Sequence, residues 1–278
     1  MKVILSRKGF DSEHGGYPSP VLPDGRMISL PIPAYDKIRY SDLRVDENLT
    51  YFDLMKQLNP MSPKIKYNEE WHTLTENTQC HLDPDINGSA MKRHISWKPL
   101  FGQIDVAQTH LKNQEVGEGD LFLFFGTFRK TIKKGGVYQF DSSGEEFHAI
   151  YGYLQIGEIV SLGNNTQFPE WMGYHPHTDR SRYGRNNTIY VARDRLTWQP
   201  DVPGAGLLNF TEKLILTQKG YSKSRWNLPS FFREIKISYH SEKSWKDGYF
   251  QSAKIGQEFV IQSNEEIEDW VKDILEKD

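Results

Sequence analysis

Ser6, Arg7, Lys8 and Asp11 stand just ahead of the glycine pair Gly15-Gly16. Two cations, an acid and a freed backbone can hold a phosphate. Amide N–H groups would contact its oxygens, and the guanidinium of Arg7 could bind it through two bonds. The spacing is neither GxxxxGK[ST] nor GxGxxG. A solvated loop with a local Arg–Asp pair answers to the same residues.

His81, Asp83 and Asp85 form a second constellation, with His175 and His177 as partners farther along. Imidazole and carboxylate suit Mg, Mn, Fe or Zn. On extended backbone, residues i and i+2 share a face. An HxD pair completed by a distant histidine is a ligand set of some Fe(II) oxygenases, and here His148, His175 or His177 could be third. Pro84 and Pro176 interrupt the two motifs, and the surrounding pattern is not that of a double-stranded helix. The favoured reading is therefore a capped turn in which Asp83 and Asp85 bond nearby N–H groups, with no metal assigned.

Tyr174-His175-Pro176-His177 leads into Arg180, Arg182 and Arg185, the densest basic and aromatic stretch. Arginine planes and tyrosine faces can stack on bases, and arginine can meet phosphate. A histidine of this stretch facing a cleft could move protons near neutral pH. An exposed loop with ordinary charge is the plain alternative. Trp226 follows Ser222-Lys223-Ser224-Arg225 and could floor a base pocket, with Trp171 a similar candidate; Phe231 and Phe232 read as core. A GxSxG elbow is absent. Cys80 is next to His81 in sequence, so a Cys–His dyad would need some other histidine.

The composition narrows the classes. Net charge is −3 from 34 basic and 37 acidic residues, unlike a generic polyanion binder. Aromatics make up 13% of the 278 residues, which argues against wholesale disorder. One cysteine permits no internal disulfide and fits a reducing, cytoplasmic setting. The apolar run after Lys2 stops at Leu5, too short for a signal peptide. No window reaches the ~18 apolar residues of a membrane span.

These groups need elements to hold them. Lys2 to Leu5 reads as a buried strand, Met27 to Leu30 as a short one, and Thr50 caps a helix over 51–58. Residues 61–98 read mostly as loop. Ile104 to Leu111 suits a short helix, and Leu121 to Phe125 a strand buried on both faces. Lys133 to Gly136 is a hairpin turn. His148 to Ile159 is a strand with Gly152 and Gly157 as bulge or close-approach positions. Thr188–Ala192, Leu207–Phe210 and Leu214–Leu216 continue a short-strand rhythm. Ser263 or Asn264 caps a final helix with the stripe Ile267, Trp270, Val271 and Ile274.

Four blocks carry a resemblance: the opening VILSRKGFDS…GG…PSP…LPDG…SLPIP, HLDPD at 81–85, GDLFLFFGTFR at 119–129 and HAIYGYLQIGEI at 148–159. Together they resemble the third of the nucleotide-modification-associated families, from Lys2 to about Tyr239. These are bacterial and phage proteins linked by genomic context to systems that modify nucleic-acid bases. The family supplies a context rather than a reaction, and no catalytic residue carries over. The Gly-Asp turn, the apolar strand ending in Arg129 and YGYLQIGEIV are also similar to PUA-like barrels such as EVE and ASCH domains, which implies binding of modified bases or RNA.

The expected fold is α+β and mainly β, with a barrel-like, PUA-like centre. It forms one domain over 1–278, with an N-terminal part at 1–98, a barrel-like part at 99–240 and a C-terminal helical extension at 241–278. The expected function is binding of a nucleotide or modified base, alone or within DNA or RNA, in an aromatic, arginine-lined cleft. Ser6, Arg7, Lys8, His177, Arg182 and Trp226 would bind. The alternative is a transferase or hydrolase acting on a nucleotide or base, with Asp11, His148 and His175 as catalytic groups. No cofactor is specified, and no membrane is expected.

Overall fold

A computed structural model describes residues 1–61, 63–253 and 258–276. Its centre is the run Leu121 to Phe125, which opens the long strand β4 (Leu121–Lys134). Every residue of that run is shut off from solvent, as a continuous apolar strand demands. Phe122 and Phe124 face one side and stack on each other near Phe101 and Tyr190. Phe125 faces the other, against Trp226 and Phe259.

Eight strands join β4 in a nine-stranded mixed sheet. They are β1 (Val3–Arg7), β2 (Ser19–Val21), β3 (Leu100–Gln103), β5 (Val137–Phe140), β6 (Phe147–Leu162), β7 (Asn187–Ala192), β8 (Ala205–Leu207) and β9 (Glu258–Ile261). The main order is β9-β1-β4-β6-β7-β3. β1 and β2 run parallel to β4, and β6 and β5 antiparallel to it. The β4–β6 register shifts beside Gly152, and the β6–β7 register shifts across Gly157. These bulges bend the sixteen-residue β6 enough for one strand to serve both halves of the sheet.

The expected barrel does not close. Among the described residues no backbone ladder joins the end strands β9 and β3. The sheet curls until side chains meet instead, Gln103 Nε2 donating to Glu258 Oε1 at 2.7 Å.

Helix α1 (Tyr51–Leu58) starts where Thr50 Oγ1 accepts the Asp53 amide at 3.1 Å and Asp53 bonds back to the Thr50 amide, a reciprocal cap. Helix α2 (Asp105–Asn113) follows β3 directly. Helix α3 (Glu265–Leu275) is capped by Asn264 and buries Ile267, Val271 and Ile274 against the main core. Three expected strands differ. Of 207–210 only Leu207 is in a strand, as the last residue of β8. Met27 makes only an isolated bridge to Val21, and Glu212–Leu214 forms a 3-10 turn before Ile215 bridges Ala149.

A second core gathers residues from Phe10 to Met91 around α1, with Tyr138 and Tyr174 from elsewhere. A third, smaller one lies on β3 and β7 with Met172. Leu82 of the segment 81–85 belongs to the second core, and Ile86, which follows it, to the main one.

Candidate functional site

His81 to Asp85 runs along the open edge of β3. Asp85 exchanges backbone bonds with Leu100 at 2.9 and 3.0 Å, and Asp83 Oδ1 accepts the Gly102 N–H at 2.8 Å. Asp83 thus does cap a backbone amide, although across to another strand rather than within its own turn. Asp85 does not cap one. It takes both ends of the Arg93 guanidinium at 2.5 and 2.7 Å and the Tyr174 hydroxyl at 2.5 Å.

That Tyr174 contact anchors the 3-10 segment that follows. Lys37 Nζ donates to Gly173 O at 2.6 Å, and Arg182 reaches both Pro176 O and Asp36 Oδ1, the latter at 2.9 Å. So pinned, the segment delivers His175 and His177 onto Asp83. His175 Nε2 lies 3.3 Å from Asp83 Oδ1, and His177 Nε2 lies 3.7 Å from Oδ2. His81 Nε2 approaches Oδ2 to 3.9 Å. Gly102 makes room, since a Cβ there would stand 2.3 Å from the His177 ring.

The hydrogen bonds fix which nitrogens carry protons. Asn187 Nδ2 donates to His177 O at 2.7 Å, so its Oδ1 faces the ring and accepts from His177 Nδ1–H at 2.7 Å. His81 Nδ1 likewise donates to Asp36 Oδ2 at 2.7 Å. In their neutral forms both rings turn a bare Nε2 inward. His175 is the reverse: its Nδ1 accepts the His177 amide at 3.3 Å, so Nε2 carries the proton. That buried nitrogen lies 3.3 Å from Asp83 Oδ1 and has no hydrogen-bond partner.

Burial works to raise the Asp83 carboxyl, yet the surrounding histidines outweigh it and hold the group at about 2. Burial pushes His177 down to about 3 against the pull of Asp83, so the ring is neutral at pH 7. For Asp36, too, burial is outweighed, and His81 and Arg182 keep it below the usual carboxylate range. One donor atom each from His81, Asp83 and His177 lies within 4.8 Å of the other two, and the imidazole contacts to Asp83 Oδ2 are made by Nε2 of both rings. Asp83 also walls a cavity of about 40 Å³ with Gly9, Ser29, Tyr51 and Tyr151. His81, with 18% of its side chain exposed, is the outermost of the set.

The other expected site residues fall elsewhere. Ser6 and Lys8 are directed to the buried Glu258, whose Oε1 takes both at 3.0 Å. The sheet alternation turns Arg7 to the opposite face, where its charge bears on His148. Asp11 Oδ1 accepts the amides of Glu13 and His14 at 2.8 Å each, and its Gly15 and Gly16 neighbours donate to Lys66 and Asp11 carbonyls. The loop therefore uses its own amides instead of offering them to a phosphate. Trp226 is 1% exposed and gives its indole N–H to His148 Nδ1 at 3.2 Å. It is packed between Phe125, Phe250 and Phe259 and is shut off from solvent. Burial, with the Arg7 and Lys223 charges, holds His148 down at about 3.

Thus His175, His177 and Arg182 share one site, while Ser6 and Lys8 belong to a second and Arg7, His148 and Trp226 to a third. Asp36 and Asn187 escaped the sequence reading, and nothing local marks them. The alternations HxD and HxH were the usable signal for the rest.

Fold and site together define a curled mixed-sheet protein with a buried histidine–carboxylate centre at its sheet edge. The chain belongs to the family described as nucleotide modification associated domain 3, whose model matches residues 2–262. No curated protein and no solved structure matches it. Among the described residues, no helix is long and apolar enough to cross a membrane.

Proposed function

We propose that this protein is an enzyme of nucleotide or nucleic-acid base modification, with His81, Asp83, His175 and His177 as its reactive centre. One observation carries the reading: two chain segments some ninety residues apart, 81–83 and 175–177, bring three imidazoles around a single buried, ionised carboxylate. Burying charge is expensive, and apolar packing would serve the fold as well or better. Perturbed groups gathered at one place are the usual mark of chemistry. Membership of a nucleotide-modification-associated family supports a nucleotide-related substrate. Arg182, tied to Asp36, holds the rim of the centre.

A ligand screen on the full chain tests this. Thermal shift is recorded with nucleotides, nucleosides and oligonucleotides, since a ligand selective for the native state raises the melting temperature. At least one should stabilise the wild type, and Asp83→Asn should lose that response while staying folded. The reading fails if nothing in the screen shifts the wild type, or if Asp83→Asn responds identically.

One feature favours a binding role elsewhere. A cleft of about 730 Å³ lies between Phe147, Ile215, Gln218 and Asn227, within the roughly 300–1,000 Å³ range of small-molecule sites. Glu145, Glu146 and Glu212 outnumber Lys130 and Lys219 on its walls. That balance suits an uncharged base or nucleoside better than a phosphate. Protection of Phe147 and Gln218 in ligand-observed mapping, with the histidines untouched, would support this second reading.

A further inference from the structure

We infer that His81 Nε2, Asp83 Oδ2 and His177 Nε2 form a binding site for one divalent first-row transition metal ion. The inference deepens the proposed reading of this centre by naming the cofactor class it would hold. Two imidazole nitrogens and one carboxylate oxygen are a donor set such ions accept, with coordination positions left open. Magnesium and calcium favour all-oxygen sites and fit these donors poorly.

Three features of the geometry agree. First, the donor atoms already lie within 4.8 Å of one another, with 3.7 and 3.9 Å separating each imidazole nitrogen from the carboxylate oxygen. Donors sharing an ion sit roughly 3–3.5 Å apart, given bonds of about 2.0–2.2 Å, so small side-chain rotations complete the set. Second, the outer partners match what ligand histidines need. Asp36 holds Nδ1–H of His81, Asn187 holds Nδ1–H of His177, and both lone pairs are thereby aimed inward. Third, His175 presents a fully buried N–H toward Asp83 Oδ1 without a bond to satisfy it. The Gly102 amide occupies that same oxygen. Oδ2, by contrast, is left facing His81 and His177. His175 and Gly102 therefore orient the carboxylate while Oδ2 stays available to an ion, which makes His175 a positioning residue outside the donor set.

The test uses the tag-free full chain stripped with a chelator, then titrated calorimetrically with Mn(II), Co(II), Zn(II) and, without oxygen, Fe(II). One ion per chain should bind, millimolar Mg(II) should not displace it, and bound Co(II) should show visible bands that change on mutation. His81→Ala and His177→Ala should each weaken binding more than about tenfold, and Asn187→Ala, which removes no ligand, by roughly 10–100-fold. Circular dichroism checks that the variants fold. The inference is overturned if the wild type binds no ion, or if His81→Ala and His177→Ala bind as tightly as the wild type. Should Asn187→Ala alone fold among the variants and bind unchanged, the site is also refuted. A nucleotide response without any metal uptake overturns this inference alone. Metal uptake without a nucleotide response overturns only the substrate reading.

Discussion

Gln103 and Glu258 sit 155 residues apart in sequence and at opposite ends of the sheet order, yet their side chains meet at 2.7 Å. The same Glu258 oxygen takes Ser6 and Lys8, and the Lys8 ammonium lies 4.6 Å above the Phe101 ring. One buried carboxylate therefore ties β1, β3 and β9 together where a barrel would have used a backbone ladder.

Lys8→Met should expose the dependence on charge. It leaves Glu258 ionised, buried and held only by neutral donors, a change worth about 3–5 kcal/mol for a buried pair. Urea denaturation would measure it. Adding Glu258→Gln to Lys8→Met should recover most of the loss, because no buried charge then lacks a partner. A Lys8→Met variant within ~1 kcal/mol of the wild type would mean that Glu258 does not depend on the Lys8 ammonium.

His148 makes stability depend on pH in a definite direction. Its folded pKa of about 3 lies below the ordinary value of 6.5. The unfolded chain therefore binds the proton more tightly, and this contribution is complete above pH 6.5 and is lost as pH falls toward 3. By pH 5 the loss amounts to roughly 2 kcal/mol. Melting curves at pH 7.5 and pH 5 should diverge less for His148→Gln than for the wild type. Equal divergence would show that the ring is not held neutral.

Trp226→Ala should destabilise the fold by about 3–5 kcal/mol, as large buried aromatics do when removed. Trp226→Phe should cost less, leaving His148 Nδ1 without its indole donor at about 1–3 kcal/mol. Chemical denaturation separates the two. A Trp226→Ala chain as stable as the wild type would contradict its burial among Phe125, Phe250 and Phe259.

Gly102→Ala should disturb the centre without touching its charges. The new methyl would sit 2.3 Å from the His177 ring, and such overpacking costs typically about 1–3 kcal/mol. The imidazole nitrogen resonances of His177 should move as its bond to Asn187 is strained. Gly117→Ala, where an added Cβ meets nothing within 4 Å, is the matched control and should leave both stability and those resonances unchanged.

Local physics made much of the scaffold readable. The cap at Thr50, the stripe of α3, the sealed run at Leu121 and the glycine bulges of β6 each depend on neighbours in sequence, and each appears in the structure. The closure of the sheet does not, because Gln103 and Glu258 carry no mark of each other. The same limit governs the centre. HxD and HxH announce suitable donors, but Asp36 and Asn187, which decide where the ring protons sit, carry no mark in the sequence that ties them to His81 and His177. Arg7, His148 and Trp226 illustrate the converse. Residue types suited to chemistry can equally serve a core, and only packing separates the two uses.

Asp83 also has a consequence for solubility. β3 is the last strand of its sheet, and an uncovered border of that kind invites a strand from another molecule. Here Asp85 occupies the backbone groups of Leu100, and the Asp83 carboxylate stoppers the Gly102 amide. A lesion at Asp83 would thus do more than alter the centre: it would unseal the rim of the sheet and make the chain prone to sticking to copies of itself.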